Sequence, residues 1–194
     1  MIKKLNLGCG FDKRDDYINA DNFPECNPDI LLEIENTPWD ISDNQFDTVL
    51  LKHVLEHVGA DFKKFASIMR ELYRITSPNG VIEIHVPYYR HSNFWSDPTH
   101  VRAFTPTTFK MMSKKQNDVW IKNKANYTML AYLINVDFEV IEARQFYDGE
   151  WWLKFQNGEI SLDKLRESAD QQWGVVKELR FKLRVVKELQ IKLK

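Results

Sequence analysis

The chain is short of the residues that mark several classes of protein. Its 194 residues include seven glycines and seven prolines, too few for a collagen-like or proline-rich fibre. Two cysteines supply neither a disulfide framework nor a four-thiolate zinc site, so we expect a cytoplasmic protein in a reducing compartment. No apolar run approaches the roughly 18 residues of a membrane span, and the first residues lack the apolar core of a signal peptide, so we expect no membrane partner.

The charge is balanced, and the apolar content is sufficient for a core. Lys and Arg number 27 against 28 Asp and Glu, which gives a formal net charge of -1. A protein that coats nucleic acid is strongly basic, so we do not expect nucleic acid as the main partner. Apolar residues make up 43% of the chain, and its length suits a single domain, residues 1–194.

Short apolar runs alternate with polar and helical stretches in the first half of the chain. Five runs have the length of strands: residues 3–7, 17–21, 29–34, 46–51 and 80–86. Residues 61–76 follow the i, i+3, i+4 rhythm of an amphipathic helix, with Asp61 as N-cap and a turn at residues 78–80. A strand, a helix and a strand in this order predict a mostly parallel sheet with right-handed crossovers.

The link between the first two strands is shorter than a parallel crossover usually needs. We expect a tight loop or a single helical turn over residues 11–16. A hairpin at the preceding glycines is the alternative.

The second half is less regular. Thr105 followed by Pro106 predicts a helix start, and residues 138–146 predict a sixth strand. In the basic tail, residues 175–194, apolar and basic residues alternate, which favours a strand, although some of the same positions also form a helical stripe. We interpret the basic residues as a solvated sheet face, with the edge of a homodimer or a weak polyanion contact as alternatives.

The strongest local signal is LNLGCG, residues 5–10, at the end of the first strand. Gly8 and Gly10 let the backbone approach a ligand, and open α/β sheets bind ligands beyond the carboxyl ends of their strands. Lys13 occupies the position of the third glycine in a dinucleotide fingerprint, and the Gly-Lys-Ser/Thr of a phosphate loop is absent. For an isolated G-x-G, a simple turn is the alternative.

Acidic residues follow at the next two strand ends. Asp21 ends the second strand, where a carboxylate can accept hydrogen bonds from two ribose hydroxyls. Glu33 lies near the end of the third strand, where it could accept from the exocyclic amine of adenine, with Ile34 beside the purine ring. Suitable groups at three consecutive strand ends favour a ligand that contains a nucleoside.

Five motifs in this order resemble those of the class I S-adenosylmethionine-dependent methyltransferases. They are residues 5–10 (LNLGCG), 18–21 (INAD), 37–47 (TPWDISDNQFD), 53–57 (HVLEH) and 78–80 (PNG). The resemblance implies a Rossmann-like three-layer α/β sandwich with a mostly parallel seven-stranded sheet, order 3-2-1-4-5-7-6, whose strand seven is antiparallel. It also implies S-adenosylmethionine as the cofactor.

The family pattern places one group of residues in the cofactor site: Gly8, Cys9, Gly10, Asp21, Glu33, Ile34, Lys52 and His53. By this resemblance the glycine bend lines the methionine part, Asp21 binds the ribose, and Glu33 and Ile34 bind the adenine. The pair at the end of strand four lies beside the methionine or sulfonium end. The family more often has Asp at the position of Glu33.

Three residues close to these motifs in the sequence are assigned structural roles. We expect Glu56 and His57 to cap the helical region after strand four or to fix its loop by hydrogen bonds, in preference to direct catalysis. We expect Cys9 to be a small residue in a tight turn and not a nucleophile.

Catalysis is expected on the acceptor side, in a loop and helix insertion over residues 87–125. His91, Asp97 and His100 are the candidates for a general base and its orienting carboxylate. The alternative is structural, with Asp97 starting a turn and His100 bonded to the backbone. We expect no metal site, since no tight spacing of histidine and carboxylate on one helix face occurs. Four tryptophans are interpreted as core residues, with an acceptor wall as the alternative: Trp120, Trp151, Trp152 and Trp173.

These inferences predict an S-adenosylmethionine-dependent methyltransferase that O-methylates a small molecule or a saccharide. The alternatives are an N-methyltransferase that acts on an amine or on nucleic acid, and a non-catalytic cofactor-binding partner subunit.

Overall fold

A seven-stranded sheet forms the centre of the molecule, seen here in a computed structural model that describes residues 3–187. Its order is β3-β2-β1-β4-β5-β7-β6. The strands are β1 Lys4–Leu7, β2 Ile18–Asp21, β3 Ile30–Leu31, β4 Phe46–Lys52, β5 Thr76–Pro87, β6 Phe138–Tyr147 and β7 Val176–Val185. Strand β7 is antiparallel to both of its neighbours, and the pairings among β1 to β5 are parallel. The expected fold, strand order and antiparallel strand are confirmed.

Seven α-helices and two 3₁₀ turns join the strands within the described residues. The helices are α1 Phe62–Ile75, α2 Ser92–Ser96, α3 Pro106–Lys110, α4 Lys114–Lys122, α5 Leu130–Leu133, α6 Gly149–Gln156 and α7 Leu162–Gln171. The 3₁₀ turns are Pro24–Cys26 and Leu55–His57. Between residues 3 and 187, no helix combines the length and the apolar character needed to cross a membrane.

Helix α1 shows how the sequence pattern builds the core. The carboxylate of Asp61 accepts hydrogen bonds from the backbone N–H groups of Lys63 and Lys64, so it caps the helix as predicted. Ile68 and Leu72, on the apolar stripe of α1, are fully buried in the same core as the central strands, whereas Phe62 at its first turn is exposed. Each such buried side chain contributes about 1.5–3 kcal/mol by leaving water.

The connections differ from expectation at two places. Residues 78–80 do not follow α1 as a free turn, because β5 begins at Thr76 and these residues bulge within it. Thr76 pairs with Phe46, the next pair is Val81 with Thr48, and Asn79 adopts a φ of 63° to accommodate the extra residues. The third strand is also shorter than residues 29–34, because only Ile30 and Leu31 pair with β2.

The link after the glycine bend is a tight loop. No helix occurs between β1 and β2 in the described chain, and the two strands pair in parallel. The parallel pairing excludes a hairpin, so the chain crosses over within the tight loop between Leu7 and Ile18.

The tail forms a strand as far as Val185, and residues 188–194 of the predicted basic segment lie outside the described part. The basic side chains of β7 face partly outward and pair with carboxylates of β6: Lys182 with Glu142, and Arg184 with Glu139. These cross-strand ion pairs agree with a solvated sheet face. Helix α3 begins at Pro106 with Thr105 as N-cap, as predicted.

The interpretation of four tryptophans as core residues is wrong for Trp152 and Trp173, whereas Trp151 packs against the core. Trp152 and Trp173 are exposed, and Trp120 and Trp151 are partly exposed. The tryptophan that the core does bury is Trp39, whose indole N–H donates to the carbonyl oxygen of Ile34. Burial of the polar ring nitrogen is acceptable there because it has a partner.

Candidate functional site

A crevice of about 240 Å³ opens at the carboxyl ends of β1, β2 and β4. It is lined by Gly8, Asp21, Asn22, Leu32, Glu33, Ile34, His53, Val54, His57 and Val58. The lining brings together five of the residues assigned to the cofactor from sequence: Gly8, Asp21, Glu33, Ile34 and His53. Cys9, Gly10 and Lys52 flank these positions in the chain without lining the cavity.

The glycine bend closes the first side of the crevice. Gly8 has a φ of 70°, and a Cβ there would lie 2.4 Å from a methyl group of Val54, so a larger residue would strain both the backbone and the packing. Gly10 also has a positive φ, 48°, and its N–H donates to Oδ2 of Asp21 over 2.7 Å. The bend and the end of β2 are therefore joined directly.

Asp21 is half-buried at the end of β2, where its carboxylate spans the glycine bend and the next turn. Oδ2 accepts from Gly10, and Oδ1 accepts from the N–H of Phe23 over 2.9 Å. Each carboxylate oxygen has two acceptor positions, so both oxygens keep one for a ligand. A ribose with two adjacent hydroxyl donors fits this arrangement.

Cys9 lies buried behind the bend. Burial foremost, together with the nearby Cys26 and Asp21, raises the pKa of the Cys9 thiol to about 11. The thiol is thus protonated at neutral pH, and a protonated thiol is a poor nucleophile. The structure agrees with a small buried residue in a tight turn.

Glu33 and Ile34 form the other end of the crevice. Glu33 is exposed, with Oε2 accepting from the Asn22 amide over 2.7 Å and Oε1 accepting from the N–H of Glu35 over 3.2 Å. Ile34 is buried and presents an apolar surface beside it. An acceptor next to an apolar wall suits an adenine ring, whose amine donates and whose faces are apolar.

Lys52 lies at the end of β4 but turns toward the loop after the glycine bend. Its ammonium is 2.7 Å from Oδ2 of Asp12, and this hydrogen bond lowers the pKa of Asp12. Lys52 therefore ties β4 to the loop that follows β1. The partner of the Lys52 ammonium is thus Asp12, and Lys52 does not line the crevice.

His53 has an unusual conformation and two carboxylate partners. Its φ is 55°, in the left-handed region that few residues with side chains adopt. Nε2 lies 2.8 Å from Oε2 of Glu178 and Nδ1 lies 3.3 Å from Oε1 of Glu56. The hydrogen bonds to Glu178 and then to Glu56 raise the pKa of His53 to about 9, so the ring is a cation at neutral pH.

Glu178, from β7, is a site residue that the sequence did not reveal. Burial by itself would raise the pKa of Glu178, but hydrogen bonds from His53 and Arg180 outweigh it and lower the pKa to about 2. Glu178 and His53 are 125 positions apart. No local motif connects them, and the contact could be found only from the register of β7 against β5.

The acceptor-side candidates are not joined in the way the sequence suggested. His91 caps α2 by accepting from the N–H of Asn93 at Nδ1, and its Nε2 lies 3.4 Å from Oδ2 of Asp148. The carboxylate facing His91 is therefore Asp148 and not Asp97. Because Nδ1 is used as an acceptor, a neutral His91 carries its proton on Nε2 and has no free lone pair for a base.

Asp97 instead begins a series of hydrogen bonds that ends at His57 in the crevice. Its Oδ1 accepts from the Thr99 hydroxyl over 2.6 Å, and that hydroxyl lies 2.7 Å from Nδ1 of His57. A hydroxyl has one proton, so when Thr99 donates to Asp97 it must accept from His57. His57 therefore holds its proton on Nδ1, and its Nε2 is free. The ring of His57 also lines the crevice.

His100 completes this region. Its Nδ1 donates to the carbonyl oxygen of Phe94 over 2.7 Å, and its ring packs edge-on against His57 with centroids 4.5 Å apart. This bond to the backbone agrees with the structural alternative for His100. It leaves Nε2 of His100 without a hydrogen-bond partner among the described residues.

A second and larger cavity, about 550 Å³, lies where the chain leaves β5. It is lined by Tyr88, Tyr89, Thr105, Pro106, Ala143, Arg144, Gln145, Tyr147, Leu179 and Phe181. The walls are largely aromatic and apolar, with the arginine and glutamine as polar groups. This volume falls within the range of small-molecule sites.

Comparison with known proteins identifies this architecture. Residues 18–84 match the model of a family described as a methyltransferase domain. No curated protein sequence matches the chain. A SAM-dependent methyltransferase from Archaeoglobus fulgidus superposes with a TM-score of 0.55 at 15% identity, covering 94% of this chain and 86% of that one.

Two other solved structures are similar. The first is 1,6-didemethyltoxoflavin-N1-methyltransferase from Burkholderia thailandensis, with bound S-adenosylhomocysteine. It has a TM-score of 0.52 at 10% identity and covers 95% of this chain and 71% of that one. The second is the [4+2]-cyclase SpnF, with a TM-score of 0.55 at 14% identity and coverage of 96% and 75%. At identities this low, the structural similarity shows the fold and nothing more.

The strand order, the glycine bend and the family match over residues 18–84 agree with one another. The cofactor expected from the motifs, S-adenosylmethionine, agrees with them as well. The chain has the Rossmann-like fold of the class I methyltransferases, and residues 18–84 match a methyltransferase domain, for which S-adenosylmethionine is the expected cofactor.

Proposed function

We propose that the protein transfers a methyl group from S-adenosylmethionine to a hydroxyl oxygen of a small molecule or a saccharide. The observation that carries the proposal is the crevice at the carboxyl ends of β1, β2 and β4. There a diol acceptor, Asp21, an apolar wall, Ile34, and a bend of positive-φ glycines converge. The cofactor supplies the electrophilic methyl group, so the protein has to bind, orient and exclude water.

The residues of the crevice divide the work of holding the cofactor. Asp21 binds the ribose hydroxyls, while Glu33 and Ile34 hold the adenine. The backbone at Gly8 allows close approach of the methionine part. The ring of His53, held by Glu178 and Glu56, forms the wall of the crevice at the end of β4.

The larger cavity supports a small acceptor. Its volume of about 550 Å³ exceeds the needs of a single methyl-accepting group and fits a compact ring system or a sugar. Tyr88, Tyr89 and Tyr147 provide aromatic faces and hydroxyls, and Arg144 and Gln145 provide polar contacts. Sugars bind in this way, with an apolar face on an aromatic ring and hydroxyls on polar groups.

The acceptor hydroxyl must lose its proton, and His91, Asp97 and His100 remain the catalytic candidates. Of the two histidines, His100 is the better base, because its Nε2 has a free lone pair when Nδ1 donates to Phe94. Asp97 orients His57 through the hydroxyl of Thr99. We expect His100→Ala to lose turnover and keep cofactor affinity, and His91→Ala to act mainly through the stability of α2.

Two measurements test this function. Calorimetry with S-adenosylhomocysteine tests the crevice, and formation of S-adenosylhomocysteine from S-adenosylmethionine with panels of phenols, sugars and amines tests the reaction. Tight binding with turnover on hydroxyl acceptors supports the proposal. Turnover on amines alone would favour N-methylation, as in the Burkholderia neighbour. Binding without turnover on any acceptor would favour a partner subunit or, as the cyclase neighbour illustrates, another use of the fold.

A further inference from the structure

A group of three metal-ligating side chains lies beside the crevice. Glu56 and His57 end the short helical turn after β4, and His100 reaches them from the loop after α2. One ligand atom from each lies within 4.8 Å of the other two. No sequence motif predicts this group, because His100 is 43 positions from His57 and no helix of the described chain carries all three.

The carboxylate of Glu56 is incomplete without a further partner. The residue is 1% exposed, and its Oε1 is bonded to His53. Its Oε2 is buried and has no hydrogen-bond partner among the described residues. A buried carboxylate oxygen in this state is costly, and a cation is the kind of group that would satisfy it.

Both histidines are oriented as metal ligands usually are. Nδ1 of His57 donates to Thr99, which donates to Asp97, and Nδ1 of His100 donates to the carbonyl oxygen of Phe94. A ligating histidine typically donates its second ring N–H to a carboxylate or a carbonyl, directly or through a polar group. Each Nε2 is thereby left deprotonated and free to bind an ion.

We propose that Glu56, His57 and His100 form a site for a divalent transition-metal ion. Two imidazoles and one carboxylate suit Zn²⁺, Fe²⁺, Co²⁺ or Mn²⁺ better than Ca²⁺ or Mg²⁺, which prefer oxygen ligands alone. Ligand atoms around a tetrahedral ion are about 3.4 Å apart, so no pair of ligand atoms has to approach by more than about 1.4 Å for binding. When Nε2 of His100 binds the ion, its lone pair is no longer available to act as a general base.

The position of the site suggests what it does in the proposed reaction. His57 lines the cofactor crevice, so an ion on its Nε2 lies at the margin of the space where the methyl group is delivered. A divalent ion there would bind an acceptor hydroxyl and lower its pKa. This consequence rests on the proposed function, whereas the metal site itself does not.

A second group, Cys9, Asp21 and Cys26, also has ligand atoms within 4.8 Å of one another. It is the poorer candidate because Asp21 already accepts two backbone hydrogen bonds and because burial disfavours the thiolate of Cys9. An experiment must nevertheless distinguish the two groups, and thiolate ligands provide the means.

Titration of the full chain with Co²⁺, followed by visible absorption, tests the proposal. We expect one equivalent to bind with d–d bands in the visible and without the intense near-ultraviolet band of thiolate-to-cobalt charge transfer. Glu56→Gln and His100→Ala should weaken binding at least tenfold. Glu150→Gln, a change in an exposed carboxylate that pairs with Lys154 outside the group, and Cys9→Ser should leave binding as in the unchanged protein.

A milder variant guards against loss of folding. Thr99→Ala removes the partner of the His57 N–H and leaves all three ligands, and we expect about tenfold to hundredfold weaker binding with an unchanged circular dichroism spectrum. Absence of Co²⁺ binding at millimolar concentration would overturn the site, as would a thiolate band that disappears in Cys9→Ser. If S-adenosylhomocysteine still binds in that case, the metal site fails and the proposed function stands.

Discussion

Replacement of Asp21 by alanine tests the crevice most directly, because one carboxylate serves both the protein and the proposed ligand. The change removes the acceptor of the Gly10 N–H, 2.7 Å away, and the acceptor positions left for ribose hydroxyls. A lost hydrogen bond to a charged group costs about 1.5–3 kcal/mol. At tenfold per 1.4 kcal/mol, the dissociation constant of S-adenosylhomocysteine should rise by about 10- to 150-fold.

Calorimetry with S-adenosylhomocysteine measures this loss, and two further variants define its origin. Asp21→Asn keeps the size and one weak acceptor, so its loss should be smaller than that of alanine. Asp16→Ala is the matched control and should bind as the unchanged protein does, since Asp16 pairs with Lys4 at the amino end of β1, away from the crevice at the carboxyl ends of the strands. Circular dichroism and thermal melting establish that each variant is folded. An unchanged dissociation constant in folded Asp21→Ala would refute the placement of the ribose.

Two predictions concern stability. Phe109 is fully buried and stacked on Phe104 with ring centroids 5.5 Å apart, so Phe109→Ala should lower the free energy of unfolding by about 3–5 kcal/mol in urea titrations, and a loss under about 1 kcal/mol would contradict the packing. The hydrogen bond from Arg74 holds the pKa of Glu71 below its usual range, so its carboxylate contributes stability above the usual pKa that is lost as the pH falls through the lowered value. Glu71→Gln should therefore make the free energy of unfolding less dependent on pH in acid and lower it at neutral pH by about 2 kcal/mol. This figure is kept low because Arg74 is 27% exposed. An unchanged dependence of stability on acid pH would exclude Glu71 as the source of that dependence.

Much of the fold could be predicted because each strand carries its own local signal. The run at residues 46–51 and the stripe of α1 are buried on the predicted sides, and Asp61 caps the helix as its residue type suggests. The bulge at residues 78–80 could not be predicted, because Pro-Asn-Gly favours a turn equally within a strand and after a helix. The exposed tryptophans were missed because residue type alone does not say which face a segment turns outward.

The candidate site was predictable where its residues lie on consecutive strand ends. Gly8, Asp21 and Ile34 meet because parallel strands align their carboxyl ends, which the motif order already implied. The contacts of His53 with Glu178 and of His91 with Asp148 join distant segments, and only the three-dimensional arrangement reveals them. Proximity in the loop suggested Asp97 for His91, but the cap of α2 turns that ring toward another carboxylate.

The location of β7 between β5 and β6 bears on how a nascent chain would assemble. Among the described strands β6 pairs with β7 alone, yet it precedes β7 in the chain, so it has to wait without a neighbour until its partner is synthesised. Strand β5 meanwhile offers an open backbone edge, a feature that invites aggregation. Glu178 reaches His53 only with this final insertion. Maturation of the crevice and protection of both edges are thus a single event, and a ligand that depends on the position of His53 would bind only to molecules that have completed it.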